Sequence, residues 1–227
     1  MRKINKSPTM PATLRSAPVP TSASNVDIKI YGAKDVRDQL IKDQHYKCAY
    51  CESKIPEQYH DVEHYRPKSL YFWLGHKWSN LLYSCELCNR SYKNSNFPLK
   101  DELNRAKSQT DDITLEEPLI INPAYIDPNI HIKFNRYSAI GITPEGNKTI
   151  EIFHLNDRNT RPDLINGREQ LYEKYEQETK KITLANKLLK SYPTNTEASQ
   201  ILNLCNQTIS SLKSDDTPYS GMLISQI

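Results

Sequence analysis

Between Cys48 and Lys93 the sequence concentrates residues able to do chemistry: Cys48-x2-Cys51, Glu63-His64, Asn80, Cys85-x2-Cys88, then Asn89 and Lys93. Two Cys-x2-Cys pairs separated by 33 residues match a tetrahedral zinc site with four thiolate ligands. Soft thiolates filling every position leave zinc no open site for substrate, so a zinc ion here is structural. On the thiols alone a zinc ribbon without catalysis is the better reading. The polar residues between and just beyond the pairs tip the balance, because together they can assemble a one-metal site for phosphodiester chemistry.

Positioning those groups requires a compact unit. Residues 61 to 65 read as a short strand, 81 to 84 as a second, and 86 to 94 as a helix on which Asn89 and Lys93, four apart, share a face. Zinc staples the helix start to the first thiol turn and holds that face against the strand bearing Glu63 and His64. Neighbouring strand residues point to opposite sides, so Glu63 and His64 serve one site only if the strand ends or twists there. Pro67, three residues on, is consistent with an end.

Glu63-His64, Asn80-Leu81 and Cys88-Asn89-x3-Lys93 resemble the HNH endonuclease motif with its ββα-metal fold, in the subtype with two flanking Cys-x2-Cys pairs. Residues 48 to 52 (CAYCE), 63 to 68 (EHYRPK), 78 to 82 (WSNLL) and 97 to 99 (FPL) are similar to the HNH subunit of Septu-type anti-phage systems, including members encoded beside retrons. Ile121-Asn122-Pro123 and Leu155-Asn156 share that likeness. The sequence departs from many HNH enzymes at Asn89, which stands where they carry a metal-binding histidine.

The resemblance implies His64 as general base, Glu63 and Asn89 as ligands of a catalytic metal, Asn80 as the residue fixing the loop that positions His64, and Lys93 as a phosphate contact. Arg66 and Lys68 would steer the substrate backbone. An imidazole of ordinary pKa is mostly neutral at cellular pH and able to accept a proton from water. Two oxygen ligands with several retained waters suit Mg2+ or Mn2+. The implied reaction is hydrolysis of a phosphodiester to 5′-phosphate and 3′-hydroxyl ends, on DNA or on a structured RNA such as transfer RNA. The resemblance also implies an ATPase subunit of the PtuA kind as partner, and a retron reverse transcriptase with its small DNA as a further one. Two rival functions differ in class: a stand-alone restriction-like HNH endonuclease, and a catalytically silent zinc-binding interaction module.

The fold class expected is α+β: a zinc-stapled ββα core over residues 45 to 100, a β-rich extension over 118 to 155, and a helical region over 160 to 213, all within one domain of residues 26 to 227. In the extension, 131 to 134, 139 to 143 and 149 to 153 read as strands, with 144 to 147 (PEGN) as a turn. Leu164, Leu171, Tyr175, Ile182, Ala185 and Leu189 mark one helical stripe that Pro193 closes; Ile201, Cys205, Ile209 and Leu212 mark another. Val36, Leu40 and Ile41 mark a short helix before the first thiol pair.

Residues 1 to 25, with four prolines among Ser, Thr and Ala, read as a flexible basic arm. Residues 1 to 26 hold Arg2, Lys3, Lys6 and Arg15 without an acid, which leaves 26 bases against 27 acids in the remainder. Nucleic-acid affinity comes largely from phosphate neutralisation, so a near-neutral body implies that another subunit supplies much of the grip. No apolar run approaches the roughly 20 residues of a membrane span. With no apolar leader at the N-terminus, the expectation is the reducing cytoplasm, where paired cysteines hold metal rather than form disulfides.

Overall fold

The computed structural model describes residues 1–56 and 60–227. Strand β1 (His60–His64) pairs antiparallel with β2 (Leu81–Cys85), setting His64 opposite Leu81 and His60 opposite Cys85. Leu81, Leu82, Tyr83 and Ser84 are all buried, so β2 is covered on both faces and reads as an apolar run rather than an alternation. The helix that follows, Leu87–Lys93, is wound in π turns, and its end is closed by Asn94 N donating to Asn89 O at 2.7 Å. Such turns are rare and occur frequently at functional sites.

A knuckle around Cys48 to Ser53 docks on this unit. Cys48 N donates to Ser53 O and Glu52 N to Cys48 O, both at 3.0 Å, while Ala49 N reaches Tyr83 O at 2.9 Å. That last bond ties the first thiol pair to β2 and brings it beside the second.

The N-terminal region is a correction to the flexible-arm reading. Helices α1 (Ala12–Arg15), α2 (Ile28–Tyr31) and α3 (Lys34–Asp43) wrap the ββα unit, and Met1, Ile4 and Leu14 are buried in the same core as Val36 and Leu40. Ile4 N donates to Pro123 O at 2.8 Å, and Lys6 Nζ lies 3.7 Å from the Trp78 ring centroid while donating to the carbonyls of Trp78 and Leu81. Composition counted the scarcity of apolar residues; it could not register that the few present dock on a surface already formed.

The extension is corrected as well. Strands β3 (Ile132–Asn135) and β4 (Ser138–Gly141) form a hairpin, but the expected third strand lies in helix α4 (Pro144–Ile152). Thr143 Oγ1 accepts from Gly146 N at 3.2 Å and Pro144 occupies the first helical turn, so the supposed turn is a helix start. A Cβ on Gly146 would fall 2.0 Å from His131 O, so only glycine lets α4 approach the hairpin this closely. The chain ends in helices α5 (Pro162–Ser191) and α6 (Thr196–Leu212), which pack on each other through Ala185, Ala198 and Cys205, and short α7 (Ser220–Ile224). Among the described residues no helix is long and apolar enough to cross a membrane.

Candidate active site

The Sγ atoms of Cys48, Cys51, Cys85 and Cys88 all lie within 4.8 Å of one another, with Cys51 and Cys85 3.8 Å apart. A tetrahedron of sulfurs at the usual zinc–thiolate bond length has edges of about 3.8 Å. The four cysteines are therefore grouped closely enough to hold a zinc ion.

β1 ends at His64, and that end places the imidazole at a cleft. Two adjoining cavities of 460 and 260 Å³ share His64, Lys68, Asn89 and Arg90 as lining. His64 is 7% exposed, its ring packed edge-on against Tyr31 with centroids 4.6 Å apart. Its Nε2 lies 2.9 Å from Gly75 O. A carbonyl only accepts, so Nε2 carries the proton and Nδ1 is left as the basic nitrogen. Nδ1 makes no hydrogen bond to the described residues. Burial lowers the imidazole pKa to about 4, with the Gly75 carbonyl pulling the other way.

Asn80 sits behind this histidine. Its Oδ1 accepts from Arg66 N at 2.8 Å, and its Nδ2 donates to Arg66 O at 3.0 Å and to Leu74 O at 3.3 Å. One buried amide thus joins the turn after β1 to the loop that presents Gly75 O.

Glu63 and Lys93 form a buried ion pair with Nζ 2.7 Å from Oε1, the two side chains 2% and 0% exposed. Lys93 also donates to His64 O at 2.9 Å, and Tyr50 OH donates to the same Oε1 at 3.3 Å. Oε2 has no hydrogen bond among the described residues, and Glu63 lines the smaller cavity. Burial raises the carboxyl pKa even against the neighbouring ammonium. The phosphate-contact role expected of Lys93 is therefore corrected: its ammonium faces inward and is spent on Glu63. The half-buried Asn89 faces the cleft, and its side chain makes no hydrogen bond to the described residues. Glu63 Oε2 and the Asn89 side chain, both without hydrogen-bond partners among the described residues, line one cavity and offer one anionic and one neutral oxygen of the kind a hard divalent cation takes.

Of the two loop bases, Arg66 is tied to Glu116 at 2.8 Å, away from the cleft lining. Lys68 lines the cleft and donates to Tyr31 OH at 2.9 Å. Arg90 forks onto Asp61 at 2.6 and 2.9 Å. Sequence reasoning missed Tyr31, Tyr50, Arg37 and the Gly75 carbonyl. Tyr31 and Arg37 sit on helices outside the motif and carry no spacing signal, and a backbone carbonyl leaves none at all.

The HNH endonuclease family model matches residues 48–95. Residues 48–95 are an HNH domain. The chain is 35% identical over 155 residues to Septu protein PtuB of Bacillus mycoides (strain KBAB4), covering 61% of this chain and 52% of that protein. To Septu protein PtuB of Bacillus thuringiensis it is 34% identical over 142 residues, 61% of this chain and 48% of the relative. A weaker match, 24% identity over 143 residues, is to Septu protein PtuA of Bacillus mycoides (strain KBAB4), spanning 57% of this chain and 20% of that protein. The chain spans about half the length of the PtuB proteins it matches. Within the HNH domain β1, β2 and the π helix carry the polar constellation, while Tyr31 and Arg37 reach its cleft from outside the matched residues.

Proposed function

We propose that this chain is a metal-dependent endonuclease that hydrolyses phosphodiester bonds of nucleic acid, with His64 as general base. The observation that carries the reading is that His64 and Asn89 line the same cleft, with the imidazole held so that Nδ1 is its basic nitrogen. Nδ1 takes a proton from the attacking water, and the Nε2–H bond to Gly75 O stabilises the imidazolium that forms. Glu63, through Oε2, and Asn89 would hold Mg2+ or Mn2+. A bound ion of this kind supplies stabilisation of negative charge on the phosphoryl and leaving oxygens. Tyr31 and Asn80 keep the imidazole and its loop in register, and Lys68 and Arg37 supply positive charge at the cleft for flanking phosphates.

The biological setting proposed is anti-phage defence of the Septu kind, with a PtuA-like ATPase subunit as partner. Likeness to PtuB proteins and the near-neutral charge of residues 27–227 support that part. A retron reverse transcriptase as an additional partner rests on the sequence resemblance alone. The test is to purify the chain with its ATPase partner and incubate it with plasmid DNA and with transfer RNA in Mg2+ or Mn2+. Cleavage giving 5′-phosphate ends, abolished in His64→Ala and by chelation of the divalent ion, is the expected result. Equal cleavage by His64→Ala would overturn the assignment.

A further inference from the structure

Zinc bound by four thiolates is a double negative charge, and here it lies among buried residues: Cys48, Cys51 and Cys88 are at most 1% exposed. Buried charge is costly unless it is paired and hydrogen-bonded. Two hydroxyls reach the sulfurs, Ser84 Oγ at 3.5 Å from Cys48 Sγ and Ser53 Oγ at 3.3 Å from Cys51 Sγ, but neither carries charge.

Two buried cations stand at the start of α5. Arg161, 4% exposed, donates from Nη1 to Cys88 Sγ at 3.4 Å and to Phe153 O at 2.8 Å, with its guanidinium 5.1 Å from the Tyr92 ring centroid. Arg168, 1% exposed, donates to Leu155 O at 2.6 Å and lies 5.1 Å from the Phe134 ring centroid. Neither arginine forms an ion pair with a carboxylate among the described residues, although buried guanidinium groups are almost never left unpaired. Arg161 is the residue that precedes α5, and Arg168 lies within the first two turns of the helix. The Arg161 guanidinium touches the sulfur of a candidate zinc ligand directly.

We propose that Arg161 is a counter-charge of the zinc–thiolate centre, holding Cys88 in place, with the metal in turn holding the first turns of α5 against β2 and the π helix, which carry Cys85 and Cys88. The alternative is that Arg161 only ties down the carbonyl of Phe153, as Arg168 ties down that of Leu155. The two accounts differ in what zinc does. A carbonyl tie is indifferent to the metal, whereas a counter-charge is not: with zinc gone and the thiols neutral, the Arg161 guanidinium remains buried without an anionic partner among the described residues.

The experiment uses the full-length zinc-loaded chain and follows zinc release to a chromophoric chelator. Partners of metal ligands typically contribute roughly ten- to hundredfold in metal affinity. Arg161→Met should release zinc at least about tenfold faster than the unaltered chain, and Arg161→Lys, which keeps the charge but loses the fork, should fall between them. Release from Arg161→Met within twofold of the unaltered chain, whatever its melting temperature, would overturn the proposal. Should Arg161→Met fail to fold, hydrogen exchange on the unaltered chain decides. Stripping zinc should deprotect residues 161 to 168 more than the Ala185–Cys205 end of the α5–α6 pair, and zinc should restore the protection. Unchanged protection of residues 161 to 168 on stripping would count against it.

Discussion

Lys93 Nζ lies 2.7 Å from Glu63 Oε1, and neither side chain reaches water to any useful extent. The residue before the candidate base is thereby held at one carboxylate oxygen, while the other has no hydrogen bond among the described residues. A lysine on the helix and a glutamate on the strand fix how the π helix sits on β1, which is also what sets Asn89 beside His64.

Removing one member of that pair leaves a buried charge uncompensated. Lys93→Met should destabilise the chain by ~3–5 kcal/mol, and the double variant Glu63→Gln/Lys93→Met should recover most of the loss. Urea unfolding of the single and double variants measures both. A lysine that served only to contact phosphate would leave stability unchanged.

Asn80 has no place in the cleft lining, yet its amide joins Arg66 to Leu74. Asn80→Ala should cost about 1–3 kcal/mol for the buried backbone groups it strands. Cleavage should fall while divalent-ion binding is retained, because the Gly75 carbonyl is no longer held against His64 Nε2. Calorimetry with Mn2+ beside a cleavage assay separates the two effects; loss of Mn2+ affinity equal to the loss of cleavage would contradict the positioning role.

The proposed site predicts that structural and catalytic roles separate by residue. Cys85→Ala should lose zinc and melt at a much lower temperature, since a closed thiolate site contributes directly to folding. His64→Ala should keep zinc and a circular dichroism spectrum like that of the unaltered chain. Metal content by mass spectrometry and thermal unfolding of both variants check this, and equal collapse of the two would refute the division.

Arg37 is exposed, lines the cleft and forms no ion pair among the described residues. In a His64→Ala background with the partner present, Arg37→Ala should weaken nucleic-acid binding and lower the slope of log affinity against log salt by about 0.9 on duplex DNA. Fluorescence polarisation across a salt series reads this, and an unaltered slope would remove Arg37 from the substrate path.

The four cysteines, the two strands and the succeeding helix were legible because zinc ligands and buried strands impose spacing on the sequence. Val36, Leu40 and Ile41, and the α5 and α6 helices, were legible through helical periodicity, although Ile201 of the α6 stripe is exposed. Three things were not. Lys93 read as a phosphate contact, and its buried pairing was hidden because its partner, Glu63, is 30 positions away. Residues 144 to 147 carry turn residues that serve equally well as a helix start, and only the Thr143 cap decides between them. The N-terminal segment has too few apolar residues to fold alone, so its order comes from the surface beneath it.

The central claim is that Glu63 and Asn89 hold a divalent ion beside His64, and the most direct test is a crystal of the full chain soaked in Mn2+ and measured for anomalous scattering. The account predicts a manganese peak in the cleft within bonding distance of Glu63 Oε2 and Asn89 Oδ1, apart from the zinc among the four sulfurs. Manganese bound elsewhere on the chain, in a crystal whose protein still cleaves nucleic acid with Mn2+ in solution, would contradict it.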